Sequence, residues 1–295
     1  MSRRTRITAG CALLALGLAW APHAHAQAQA QATDFGWDPS WPKFRPAEYV
    51  LTGVAGSAAL VLYFGMHDAR APRLTGGVLF DDYVRDALRL RPAAQRDIAR
   101  TISDWTAISA LTWAIAVDSL IVPIARGSTE LSGQMLLMDA EAFSFSTLIT
   151  TLIFKTVARA RPSYIDCERD AKYDPLCKLH PMGSFPSGHT NTAFTAAGLS
   201  CAHHLNVPLY GDHLADVLAC AGTLTLAATT GTLRIAGDRH YATDVLVGAM
   251  IGFAVGYGMP TLLHYGRGQS DAAASSATQP LGTTVPIGPA ISGVF

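Results

Sequence analysis

Arg234-Ile235-Ala236-Gly237-Asp238-Arg239-His240-Tyr241-Ala242-Thr243-Asp244 joins two long apolar runs, 214–233 and 244–264. Each run approaches the roughly 20 residues that span a bilayer core, so the stretch reads as a polar turn at one end of a helical bundle. Its spacing is chemical as well as structural. Residues four apart share a helix face, and Asp244, in the first turn of the second run, can accept the imidazole N–H of His240. A carboxylate so placed fixes the tautomer, stabilises the imidazolium and leaves the other ring nitrogen free to attack.

Two earlier segments extend the pattern. Gly183-Ser184-Phe185-Pro186-Ser187-Gly188-His189-Thr190 is a turn opening onto the apolar run 190–206. Pro186 and Gly188 shape it, Ser187 is a natural N-cap, and the exposed N–H groups make an anion site. His189 stands at the rim, where a general acid for a leaving oxygen is needed. Before it, Lys155, Arg159 and Arg161 close another apolar stretch. Arg161 precedes Pro162, so it leaves the helix and points its guanidinium fork outward.

In this order the segments resemble those of the type 2 phosphatidic acid phosphatase and vanadium haloperoxidase superfamily: Lys…Arg-Pro, Pro-Ser-Gly-His, and Arg…His…Asp. The resemblance covers about residues 100 to 265 and rests on three ordered motifs rather than one. It implies that His240 is a nucleophile forming a phosphohistidine, Asp244 its orienting partner and His189 the acid for the departing group. Lys155, Arg161, Ser187, Gly188 and Arg234 would hold phosphoryl oxygens, with no metal. Two departures stand out. Leu233 replaces the serine usual before the third-motif arginine, and Lys155 and Arg161 are six apart where the family has seven. The shorter spacing swings Lys155 about 100° off the Arg161 face of an ideal helix. Phe154 takes the expected slot, and Arg159 is the substitute donor.

The rest of the chain sets the surroundings. Among 295 residues, formal net charge is zero, 49% are hydrophobic and 15% charged, a membrane-leaning balance that argues against nucleic-acid binding. Met1 to Arg6 is a positive n-region, Ile7 to Trp20 an apolar h-region and Ala24-His25-Ala26 a small-residue cleavage site, a signal-peptide pattern. The expected organisation is a signal over 1–26, a linker over 27–46, a helical phosphatase domain over 47–265 and a low-complexity tail over 266–295. Apolar runs at 47–66, 104–124, 134–158, 190–206, 214–233 and 244–264 predict an all-α, six-helix transmembrane bundle with the phosphate site at one end. Gly53, Gly56, Gly248, Gly252 and Gly256 recur at spacings that allow close helix approach, or are merely tolerated small residues. Phe80, Tyr83, Val84, Ala87 and Leu88 predict an amphipathic helix, interfacial or packed over the bundle.

Cys167 and Cys177, in the polar insertion 163–181, read as a disulfide beside the site, which implies an oxidising periplasm. The alternatives are unpaired thiols or a metal cluster with His180 that lacks an evident fourth ligand. Cys201 and Cys220 read as simple core residues. Seven arginines in the loop 67–103 argue for the opposite orientation, with the site in the cytoplasm. The expected setting is a bacterial inner membrane with the site facing the periplasm, the alternative a soluble periplasmic form. The expected activity is metal-independent hydrolysis of a lipid phosphate or diphosphate. The alternatives are a phosphotransferase, a vanadate-dependent haloperoxidase and a non-catalytic phosphate-binding membrane protein. The expected partners are the lipid phosphate substrate and membrane lipids.

Overall fold

The computed structural model describes residues 35–66, 71–178 and 183–266. The signal-like start, the first part of the linker and the tail beyond Gly266 lie outside the described residues, as does His180. Six long helices and two short ones carry the described chain: α1 Pro46–Gly65, α2 Asp81–Leu88, α3 Ala93–Ala125, α4 Thr129–Val157, α5 Tyr164–Arg169, α6 Gly188–Asn206, α7 His213–Ala236 and α8 Ala242–Tyr265. No β-strand occurs among the described residues, only an isolated bridge between Leu74 and Arg159.

Local chemistry sets the helix ends. The Ser128 hydroxyl accepts from Leu131 N at 3.3 Å to start α4, and Asp212 accepts from Ala215 N at 2.9 Å to start α7, each satisfying a backbone donor that a helix start leaves unpaired. Pro46 opens α1, where a missing N–H costs nothing. Inside α3, Pro123 follows a π-wound stretch, Trp113–Ile121; proline cannot donate to the ordinary ladder, and wider turns absorb the mismatch.

Five of the six long helices, α1, α3, α4, α7 and α8, are long and apolar enough to cross a membrane. The exception, α6, was expected to be one of six equivalent helices. It carries Asn191, His203 and His204 and is buried along most of its length, so it is the central rod on which α8, α7, α3 and α4 pack. The helices alternate in direction. Lys155 Nζ bonds the Met66 carbonyl at 2.7 Å, bringing the end of α1 beside the end of α4. At the other end, Tyr265 lies 4.8 Å from the Trp41 ring and its hydroxyl is 2.8 Å from His203 Nδ1. Trp37, placed in a linker by its sequence surroundings, belongs to the core there with Leu131, Met135 and Met138.

The glycine stripe of α8 has a definite role. A Cβ on Gly248, Gly252 or Gly256 would lie 2.6, 2.3 or 2.3 Å from the carbonyl oxygens of Ser187, Asn191 and Thr195 on α6. The two backbones therefore touch, as small residues permit, and His189 and His240 are carried by helices fixed to each other. Gly53, by contrast, faces open space. The two cysteines expected as unpaired core residues, Cys201 and Cys220, form a disulfide between α6 and α7. Their helices bring the Cα atoms to 4.5 Å, within bonding reach; two cysteines on separate apolar runs give no sign of that in sequence.

Because the obstacle at Gly252 is backbone, Gly252→Ala should force α6 and α8 apart and cost about 1–3 kcal/mol. Gly53→Ala should be nearly silent. Thermal unfolding in detergent compares them; equal midpoints would show that the stripe carries no packing.

Candidate active site

The three sequence segments meet at one end of the bundle. After α4, Ala158 adopts a left-handed conformation (φ 47°) that ends the helix. The Arg159 carbonyl then accepts from both Gly183 N and Ser184 N at 3.0 Å, tying the Arg-Pro segment to the Pro-Ser-Gly-His turn. Ser187 N donates to the Asp244 carbonyl at 3.0 Å, which ties that turn to α8. Gly183, at φ 82°, has the Phe154 ring where a Cβ would stand, so only glycine fits.

A cavity of about 800 Å³ opens at this junction, and Lys155, Arg161, Gly188, His189 and His240 all line it. Lys155 reaches the cavity despite its shortened spacing, alongside Phe154. Arg234 stands one contact behind the wall, ion-paired with Asp104, and its Nε is buried and unpaired. Ser187 does not line the cavity. It sits at the N-cap position of α6, but its hydroxyl pairs with Thr190 Oγ1 at 2.8 Å and caps no backbone donor.

His240 is oriented differently from the expected arrangement. Its Nδ1 lies 2.6 Å from the Ser184 carbonyl and 4.0 Å from Asp244 Oδ2. A carbonyl only accepts, so Nδ1 carries the proton and the Nε2 lone pair is left for the cavity. The residue just outside the helix cannot swing its ring back to Asp244, whose oxygens are already taken. Oδ2 accepts from the Ser184 hydroxyl and from Tyr241 N at 2.8 Å, and Oδ1 pairs with Arg159 at 2.6 Å. Asp244 thus holds the residues that hold His240. Burial, then Arg161 and Arg234, push the His240 imidazole well below its usual range and keep it neutral.

Arg159, the substitute phosphate donor by sequence, is corrected by the same contacts. It is 1% exposed and bonds Asp81 at 2.7 Å, Asp244 at 2.6 Å, Thr243 Oγ1 at 2.9 Å and the Gly76 carbonyl at 2.9 Å, all outside the cavity. Asp81, fully buried, also accepts from Thr243 N at 2.8 Å. The amphipathic helix α2 packs over the bundle: Arg85 spans Asp238 and Asp166, both at 2.7 Å. Cys167 and Cys177 are disulfide-bonded in the insertion beside it.

One residue of the site gave no sequence signal. Asp104, in the middle of α3, is the only acidic residue lining the cavity among the described residues. It is ion-paired with Arg234 and lies 3.2 Å from His189 Nε2. An acid within an apolar run is noticeable, but pairing with residues 85 and 130 positions away in sequence is a tertiary fact. Desolvation in the cavity and Arg234 push His189, whose side chain is still half exposed, down to about 4, with Asp104 pulling the other way. Burial and neighbouring arginines likewise lower Arg239, to about 10, and Arg161. Cations gathered at one cavity are the electrostatic complement of a phosphoryl group.

Comparison with known proteins bears on these residues. Residues 140–267 match the PAP2 superfamily. The lipid A 1-phosphatase of Porphyromonas gingivalis is 45% identical over 83 residues, 27% of this chain but 17% of that protein's length. The crystal structure of a transmembrane PAP2 type phosphatidylglycerolphosphate phosphatase from Bacillus subtilis aligns with 80% of this chain and 97% of its own, at 16% identity and a TM-score of 0.46. The three motifs that meet at the cavity, residues 155–162, 184–189 and 234–244, all fall within the matched residues 140–267.

Proposed function

We propose that this chain is a membrane phosphatase that hydrolyses a lipid phosphate or diphosphate without a metal, through a phosphohistidine at His240. The observation that carries it is the state of His240: buried, neutral, its Nδ1–H committed to the Ser184 carbonyl, and its ring on the wall of a cavity with Lys155, Arg161 and His189. In the first step His240 Nε2 forms a bond to phosphorus while the ester P–O bond breaks. The leaving oxygen keeps the electron pair and takes a proton from His189. In the second, water attacks phosphorus, His189 accepts its proton, and the N–P bond breaks to release phosphate. The groups facing the phosphoryl position are mainly cations, a donor set suited to oxyanions rather than to metal ligation. Away from it the lining turns apolar at Tyr63, Ile108 and Leu111, which suits a lipid-borne phosphate. The relationship to a lipid A 1-phosphatase makes a phosphorylated glycolipid the first substrate to try.

The site faces an oxidising compartment on this reading, with the helical phosphatase domain over 47–265 in a bacterial inner membrane. Cys167–Cys177 lies at the catalytic end, and disulfides persist in the periplasm rather than the cytoplasm. Four of the seven arginines that argued otherwise are engaged internally: Arg85 and Arg89 with Asp166, Arg96 and Arg100 with Asp174.

Purified protein in detergent should release phosphate from lipid phosphates at the same rate with and without chelator. His240→Ala should abolish both release and any acid-labile phosphoenzyme; full activity in that variant would refute the mechanism. Arg159→Met should act through stability instead, leaving Asp81 and Asp244 buried without a counter-charge at a cost of about 3–5 kcal/mol. A lowered unfolding midpoint is expected, and an unchanged one would show that the network is not needed for folding.

A further inference from the structure

Asp104 is out of place by the logic of an anion site. A carboxylate facing the cavity repels an incoming phosphoryl dianion and weakens binding, so its presence needs a compensating role in a later step. The geometry names the step. Asp104 Oδ1 lies 3.2 Å from His189 Nε2, and Arg234 pairs with the same oxygen. The charged and titratable groups acting on His189 are Arg234 from α7, Arg161 from the segment after α4, Arg239 and His240 from the turn before α8, and Asp104 from α3. Lys155 stands on the same cavity wall. Arg234, Arg161 and Arg239 each disfavour a proton on the imidazole, and Asp104 favours it.

We infer that Asp104 is the positioning residue for His189: its carboxylate fixes the Nε2–H direction and favours the imidazolium until the leaving oxygen takes the proton. This rests on the phosphatase reading above. In the step concerned, the His189 Nδ1–H bond breaks as the leaving-oxygen O–H bond forms and the ester P–O bond breaks, while Nε2–H stays on Asp104; Asp104 gains and loses nothing. Its effect is electrostatic and directional, and the incoming phosphoryl dianion adds to it. Arg234 bonds Asp104 through one terminal nitrogen while its buried Nε has no partner, so anchoring the acid leaves part of the guanidinium uncommitted.

The test compares wild type, Asp104→Asn and Asp104→Glu on two substrates: a dialkylglycerol phosphate, whose alkoxide must be protonated to leave, and p-nitrophenyl phosphate, whose phenolate leaves unaided. Asp104→Asn should lose on the order of 10-fold or more in kcat on the alkyl ester and little on the aryl ester, with Asp104→Glu recovering part of the loss. The His189 ring, followed by NMR in detergent, should titrate about one to three pH units lower in Asp104→Asn. Rate on the alkyl ester falls as pH rises through the His189 pKa, so that fall should begin at lower pH in the variant. Equal losses on both substrates, an unmoved His189 titration, or a change confined to phosphate affinity would each overturn the proposal and leave Asp104 as a counter-charge for Arg234. If wild type shows no His240-dependent turnover, the phosphatase reading fails, and the titration alone then decides whether Asp104 governs His189.

Discussion

The buried guanidinium of Arg159 is the contact on which the catalytic end depends. It lies between two carboxylates that are fully buried, Asp81 at the start of α2 and Asp244 at the start of α8, and stacks 4.1 Å from the Tyr241 ring. Its own carbonyl holds the turn that carries Ser184. One residue therefore joins four chain segments that are far apart in sequence, and joins them where the reacting histidine must be placed. A buried pair stabilises little when compared with an apolar replacement, but breaking one side is expensive. The network thus acts as a constraint more than as a source of stability. Asp244 reaches His240 only through Ser184 and Tyr241, so the orientation of His240 is set by backbone geometry that these side chains fix.

At the opposite end the bundle resolves a different difficulty. Asp118, Asp139 and Glu141 lie within apolar runs, and charge facing lipid is costly. None of them faces outward. Asp139 pairs with His203 at 3.1 Å, Glu141 with His264 at 3.3 Å, and Asp118 with His204 at 3.2 Å, all buried. His203 and His204, adjacent in sequence, point to different carboxylates, as neighbours on a helix must. The central helix α6 supplies two of the three histidines. That explains why it is too polar to resemble the helices around it and why it is the one most enclosed.

The sequence was informative where chemistry is local. Apolar run length and the order of three motifs showed helices, a bundle and which residues converge. Lys155, Arg161, His189 and His240 do meet at one cavity. It was less informative where a role depends on what lies across the bundle. The i, i+4 spacing of His240 and Asp244 suggested a direct bond, but Arg159, Ser184 and Tyr241 had already claimed the carboxylate. Ser187 had the right identity for a cap and a closer partner in Thr190. Cys201 with Cys220, and Asp104 with His189 and Arg234, are pairings between separate helices that no single run encodes. The glycine stripe lay between these cases: its period was visible, but only the partner backbone distinguishes Gly252 from Gly53.

Helix direction links the two ends to the membrane. α1 begins beside Tyr265 and ends at Lys155, so residues 35–45 and the catalytic cavity lie at opposite ends of the bundle. If α1 crosses the bilayer, a periplasmic cavity places residues 35–45 on the cytoplasmic side. Cleavage after Ala26 that leaves the new N-terminus outside places them on the periplasmic side. The two expectations drawn from the sequence therefore exclude each other, and the internal contacts weigh unequally between them. The arginine count that favoured a cytoplasmic cavity loses its force once Arg85, Arg89, Arg96 and Arg100 are seen in ion pairs with Asp166, Asp174 and Asp238. Those pairs fold the insertion onto α2 and α3, and need no membrane potential to explain them. The disulfide within the same insertion has no such internal substitute, because its formation requires an oxidant on its own side of the membrane. The disulfide therefore supports the proposed periplasmic orientation over the cytoplasmic one.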